Sequence, residues 1–169
     1  MRLSVREILN TPGKKIDFQF SMDLSSVEFG GYCPVAEPVV VTGTVRNMAG
    51  VLVLKGAAET TLHAVCDRCT KPFQTHRTVP FEHLLAQELA NADGDDEIIL
   101  LEDGFVDVEE VARTAFILAM DTKLLCSEGC KGLCPRCGAD LNLGPCGCKA
   151  EGDPRLAVLA KLLQTESES

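Results

Sequence analysis

The stretch PVVVTGTVRN, Pro38 to Asn47, decides the reading of the fold. It is dense in β-branched residues, and such residues fit a pleated, half-buried surface better than a helix. Met48-Ala49-Gly50 follows as a turn, and then Val51 to Leu54 and Ala58 to Val65 resume the strand pattern. These two pieces read as one long strand bent at Gly56. Beyond Cys66-Asp67-Arg68-Cys69 the chain reads KPFQTHRTVPFEHLL, with Phe73, Thr75, Arg77 and Val79 alternating with polar partners. Val39 to Leu85 is therefore expected to form an antiparallel meander, with Cys66 and Cys69 in the tight turn between its second and third strands.

Upstream, Lys15 to Phe20 alternates with Ile16, Phe18 and Phe20 on one face, which predicts a further strand. Ser4 to Leu9 reads as a short helix with Ser4 as its N-cap, stopped by Thr11-Pro12-Gly13. Downstream, Glu82 to Glu110 holds eleven acidic residues and no Lys or Arg. Within it Asn91 to Asp96 reads as a loop and Glu97 to Leu101 as a short strand. The acidic run is either a solvated face or a docking surface for a basic partner such as a ribosomal protein. Asp107 to Met120 is expected to be a core helix, started by Asp107 and Glu110 in a capping-box pattern. Val108, Val111, Ala112, Ala115, Phe116 and Ala119 form its apolar stripe. Ile117, Leu118 and Met120 widen that stripe and predict a buried helix end. A last helix starts at Asp153-Pro154, with Leu156, Leu159, Ala160 and Leu163 inward.

Six of the nine cysteines fall between Cys126 and Cys148, accompanied by glycines 129, 132, 138, 144 and 147. A chain wrapped round a tetrahedral ion turns sharply, and glycine supplies the positive φ such turns need. Cys134-Pro-Arg-Cys137-Gly is a zinc-knuckle signature, in which two intervening residues let both sulfurs reach one ion while N–H groups point at them. With Cys66 and Cys69 the ligand count reaches eight, or two four-cysteine sites. The short intervening loop favours Cys134, Cys137, Cys146 and Cys148 as one site and Cys66, Cys69, Cys126 and Cys130 as the other. The exchanged pairing, Cys66 and Cys69 with Cys134 and Cys137, stays open. Two structural zinc ions are the expected cofactors, and Cys33 is left over as a free thiol, buried or loop-borne.

Other cysteine chemistries fit less well. The spacing of Cys130, Cys134 and Cys137 matches radical-SAM iron–sulfur sites, but those need a larger α/β barrel than this short, β-rich chain supplies. A zinc deaminase wants H-x-E ahead of P-C-x-x-C, and none of His63, His76 and His83 is followed by x-Glu. A thioredoxin-like pair would open a helix, whereas Cys66-x-x-Cys69 leads through Lys71-Pro72 into a strand. With four cysteines on each ion there is no open position for a metal-bound water. The three histidines are expected on strand surfaces.

The formal net charge of −9 argues against a protein that coats nucleic acid through a broad basic face. Two four-thiolate zinc sites would bring it to roughly −13. A local basic patch is still available, from Arg68, Lys71, His76 and Arg77 by the first knuckle and Lys131, Arg136, Lys149 and Arg155 around the second. These cations serve either as contacts for RNA or a partner, or only to offset the charged metal–thiolate centres. The opening MRLSVRE has no apolar run of a secretory signal, and no stretch is long enough to span a bilayer, so a cytoplasmic protein with reduced thiols is expected.

Cys66-Asp-Arg-Cys69 with Pro72-Phe73, then Leu125-Cys126-Ser-Glu-x-Cys130-Lys-Gly-Leu-Cys134-Pro-x-Cys137-Gly-x-x-Leu141-Asn142, then Cys146-x-Cys148 and Asp153-Pro154-Arg155, resembles the YceD family of bacteria and plastids. The likeness runs from Pro12-Gly13 to the last helix, and the segment Cys126 to Asn142 is its most specific part. The resemblance implies a role in accumulation of large-subunit ribosomal RNA, hence in ribosome assembly. Together the readings describe an α+β protein: an antiparallel β-meander or partly open barrel with a core helix over residues 1–120, and a cysteine-rich zinc module with a final helix over 121–169. The expected activity is non-enzymatic, with ribosomal RNA or a large-subunit ribosomal protein as partner and neither membrane nor small-molecule substrate. A zinc-stabilised protein-binding adaptor is the second reading, and a metal- or thiol-dependent enzyme the third.

Overall fold

A computed structural model describes residues 1–88 and 98–148. Its centre is a five-stranded sheet in the order β2-β3-β4-β5-β6, formed by β2 (Lys15–Met22), β3 (Val39–Met48), β4 (Val51–Val65), β5 (Pro72–Ala86) and β6 (Ile98–Leu100). The first four strands are a pure antiparallel meander. Met48 pairs with Val51, leaving Ala49 and Gly50 as a two-residue turn with φ of 54° and 98°, the positive values a tight hairpin demands. The protein is thus α+β with a mostly antiparallel sheet, as the β-branched pattern from Val39 onward indicated.

Register puts one apolar face together. Phe18 lies opposite Gly43, Gly43 opposite Gly56 and Gly56 opposite Phe81. A Cβ on Gly43 would run into the Phe18 ring, and one on Gly56 into the Phe81 ring. The two glycines therefore make room for two phenylalanines, which close over the middle of the sheet. β4 passes through Gly56 without interruption. The same face carries Met22, Val39, Val41, Val45, Leu54, Ala58, Leu62 and Val79, all buried in the main core.

A short helix, α1 (Arg6–Leu9), and the longer α2 (Val108–Leu118) supply the other layer, with buried Ile8, Val108, Ala112 and Phe116. Asp107 caps α2 by accepting the N–H groups of Glu109 and Glu110 at 3.1 and 3.3 Å. No helix among the described residues is long and apolar enough to cross a membrane.

Two expectations need correction, the N-cap of the first helix and the buried end of the second. Ser4 is not an N-cap: it ends β1 (Arg2–Ser4), which pairs with β7 (Phe105–Asp107), and α1 starts after Val5 without a side-chain cap. Long-range pairing across about a hundred residues wins here over the local serine signal. The expected meander from Val39 to Leu85 is antiparallel throughout, and beyond it β6 joins β5 in parallel, Leu84 opposite Ile98. The close of α2 is not buried: Ile117 is 38% and Leu118 80% exposed. At 100° per residue they fall about 100° and 200° round from Phe116, away from the packed stripe. Cys33 lies exposed in a loop. The expected loop over residues 91–96 and the last helix from Asp153 lie outside the described residues.

Candidate metal centres

The turn between β4 and β5 is a knuckle built by its own backbone. The Cys66 N–H donates to the Lys71 carbonyl at 2.9 Å and the Thr70 N–H to the Cys66 carbonyl at 2.8 Å. The segment from Cys134 repeats the pattern: Cys134 N–H to Ala139 carbonyl at 2.8 Å, Gly138 N–H to Cys134 carbonyl at 2.9 Å. In both turns the residue after the second cysteine has positive φ, 58° at Thr70 and 72° at Gly138. The two knuckles are thus the same structure written in two sequences, one of them with a β-branched residue in a conformation such residues disfavour.

Around these knuckles the eight sulfurs separate into two sets. Cys66, Cys69, Cys126 and Cys130 form one, Cys134, Cys137, Cys146 and Cys148 the other, and within each set all sulfurs lie within 4.8 Å of one another. The exchanged pairing is not the one the fold makes. Cys66 and Cys130 sulfurs are 3.8 Å apart and Cys69 and Cys126 sulfurs 3.6 Å. A disulfide needs about 2.05 Å, whereas four sulfurs about 2.3 Å from a tetrahedral ion stand about 3.8 Å apart. Each set therefore has the dimensions of a four-thiolate metal site, and each can hold one ion.

The acidities of the sulfurs point the same way. Burial opposes ionisation of Cys66, yet the N–H groups of Cys126, Cys69 and Arg68 together bring its pKa down to about 6. In the second set the N–H groups of Cys137 and Arg136 and the Cys146 thiol bring Cys134 to about 6. Their partners resist: Cys69 and Cys66, then burial, push Cys126 up to about 12, and Cys137, burial and then Cys134 push Cys148 up to about 12. Thiolates this close repel one another, and a cation at the centre is what lets all four carry charge.

The first set joins distant parts of the chain. Asp67 grips Leu124 twice, its carboxylate accepting the Leu124 N–H at 2.6 Å and its own N–H reaching the Leu124 carbonyl at 2.9 Å. Phe73, Leu125 and Leu133 cover buried Cys66, Cys69 and Cys130. Gly132, at φ 75°, presses on the knuckle so closely that a Cβ would stand 2.8 Å from the Arg68 carbonyl oxygen. The second set is more open: Cys134 is buried, Cys146 half-buried, and Cys137 and Cys148 exposed.

Three of the eight basic residues proposed as RNA or partner contacts are bound internally. Arg68 donates to the Cys130 carbonyl at 2.9 Å, Lys71 pairs with Asp140 at 2.6 Å, and Arg77 pairs with Asp121 at 3.0 Å while donating to the Ala119 carbonyl. Arg77 thereby serves the C-terminal end of α2, where cations are favoured. Lys131 is exposed and lines a cleft with Arg68, Cys130, Leu141 and Pro145. Arg136 is exposed within the second knuckle. Lys149 and Arg155 lie outside the described residues, and His76 is exposed on β5. Asp67, Asp140 and Asn142 were missed as supporting residues. Composition and spacing mark ligands, but these three depend on which loops the fold brings together.

No solved structure matches the chain. Among curated proteins, an uncharacterized protein of Mycobacterium tuberculosis is 32% identical over 138 residues, covering 80% of this chain and 60% of its own length. The maize protein named large ribosomal RNA subunit accumulation protein YCED homolog 1, chloroplastic, is 29% identical over 153 residues, covering 72% of this chain and 52% of that protein. An uncharacterized protein of Bacillus subtilis, YlbN, is 34% identical over 77 residues, 44% of this chain and 45% of the relative. The chain spans about 60% of the length of the mycobacterial relatives it matches. A family model described as large ribosomal RNA subunit accumulation protein YceD matches residues 54–163, a span that takes in most of β4, all of β5 and α2, and every cysteine of both sets, and the chain belongs to that YceD family.

Proposed function

We propose that the protein is a non-enzymatic factor that supports accumulation of large-subunit ribosomal RNA during ribosome assembly in the cytoplasm, with two structural zinc ions held by its eight clustered cysteines. The family match over residues 54–163 carries the functional half of this reading. The metal half is supported by the sulfur sets: tetrahedral sulfur donors suit zinc or iron–sulfur chemistry, and knuckle turns that aim N–H groups at the sulfurs suit a closed zinc site. With cysteine in all four positions no site is left for a bound water or substrate, hence an architectural metal and no small-molecule substrate. Residues 1–120 then serve as a β-rich body and 121–169 as a zinc module packed on it through the first cysteine set.

The partner is ribosomal RNA or a ribosomal protein of the large subunit. Lys131, beside Arg68 in a cleft without a carboxylate lining, is the best-placed candidate for a phosphate contact. Internal pairing of Arg68, Lys71 and Arg77 favours the second reading, a zinc-stabilised adaptor that binds protein. Sedimentation of ribosomal particles from a strain depleted of the protein tests the function. The large-subunit peak falls and its RNA is depleted; a normal peak defeats the proposal. Complementation by Lys131→Glu separates the partners: loss of rescue with normal folding supports an RNA contact, and full rescue favours the protein partner.

A further inference from the structure

Asn142 lies in the loop between Cys137 and Cys146, inside the second cysteine set, but its side chain acts on the first. Its Nδ2 donates to the Cys130 sulfur at 3.5 Å, and its Oδ1 accepts the Lys131 N–H at 2.8 Å. The loop that carries it is fixed from below. The Asn142 N–H and Nδ2 donate to Asp140 Oδ1 at 2.9 and 2.8 Å, and the other Asp140 oxygen meets Lys71 Nζ at 2.6 Å. Lys71 follows Cys69 by two residues, so a polar chain runs from the first knuckle through the second loop and back to a ligand of the first set. Two backbone bonds accompany it: Leu141 N–H to the Gly132 carbonyl at 2.9 Å and Leu133 N–H to the Arg68 carbonyl at 3.0 Å.

An amide donor on a thiolate favours its charged form, and partners of this kind alter metal affinity by about 10- to 100-fold. The donor here is positioned by a loop whose ends, Cys137 and Cys146, are themselves ligands of the other ion. We propose that Asn142 is a positioning residue that couples the two metal centres. An ion in the second set fixes the 137–146 loop, the loop holds the Asn142 amide on the Cys130 sulfur, and that bond raises the affinity of the first set. Linkage makes the effect reciprocal, so an ion in the first set raises the affinity of the second by the same factor. The module then loads and unloads its ions together. This inference rests on the reading that both sets hold metal.

Cadmium is the probe, because competition with a chromophoric chelator gives affinities and ¹¹³Cd resonances report each site separately. Asn142→Asp keeps the acceptor for Lys131 and removes the donor to sulfur and to Asp140, and Asn142→Leu, which removes the same donor without adding a charge beside Asp140 and the sulfur, must show the same loss. Asn142→Asp lowers first-set affinity about tenfold and shifts one of the two cadmium resonances. Cys146→Ser with Cys148→Ser removes the second site and lowers first-set affinity by a similar factor. Asn142→Asp in that background then adds no further loss. An unchanged first set in the double serine variant overturns the coupling, as does equal displacement of both resonances by Asn142→Asp, which marks general loop damage. Two bound ions without coupling overturn this inference alone; a native protein that binds no cadmium overturns the metal reading with it.

Discussion

Thr70 and Gly138 occupy the same place in two matching knuckles, each after the second cysteine and each at positive φ. A β-branched residue there costs about 1–2 kcal/mol, while glycine gives back about 0.4–1 kcal/mol through a freer unfolded chain. Thr70→Gly is therefore expected to raise stability by about 0.5–1 kcal/mol, and Gly138→Val to lower it by about the same amount. Denaturant unfolding of both variants with metal bound checks the pair of signs. A destabilised Thr70→Gly would mean the Thr70 side chain contributes something its backbone strain conceals. The cysteines and their glycines were legible as a metal framework because ligand spacing is a local property. Thr70 was not, since nothing in a threonine announces positive φ until the hydrogen bonds of the turn are known.

At the scale of elements, α2 is the clearest case of a local signal that survives folding. Asp107 accepts two N–H groups, and Val108, Ala112 and Phe116 are buried one turn apart. Asp107→Ala is expected to cost about 1 kcal/mol, measured as a lower unfolding midpoint with an unchanged denaturant slope. The far end of the same helix was misread because counting apolar residues does not fix their azimuth, and Ile117 and Leu118 lie round the back. The meander from Val39 was readable because each strand pairs with its sequence neighbour. β1 with β7 was not, since three-residue strands carry little pattern and the partner is remote, and β6, though read as a strand, gave no sign of its parallel pairing with β5. The opposed glycines Gly43 and Gly56 show a middle ground: Gly56 was visible as an irregularity, but its purpose, space for Phe81, appears only with the register.

Across the whole molecule, the first cysteine set is the joint between the sheet and the cysteine-rich segment. Two of its ligands come from the β4–β5 turn and two from the segment after α2, across about sixty residues. A structural zinc contributes apparent binding energy on the order of 10 kcal/mol, comparable to the stability of an entire domain. Strong chelation is therefore expected to release residues 124–148 and fray the knuckle end of the β4–β5 hairpin, while the Phe18–Gly43–Gly56–Phe81 row stays protected. Hydrogen exchange resolves the two regions, and unchanged protection from Leu124 to Cys134 would argue against a metal joint. The description of the matching family model is what the proposed link to ribosomal RNA rests on.

The most direct measurement is the native mass of the purified protein together with its absorption spectrum. Two closed four-cysteine zinc sites give a mass excess of two zinc ions, no visible iron–sulfur absorbance, and loss of one ion on Cys66→Ser with Cys69→Ser. A protein carrying no metal, iron–sulfur absorbance, or a full pair of ions retained by that variant would contradict that arrangement.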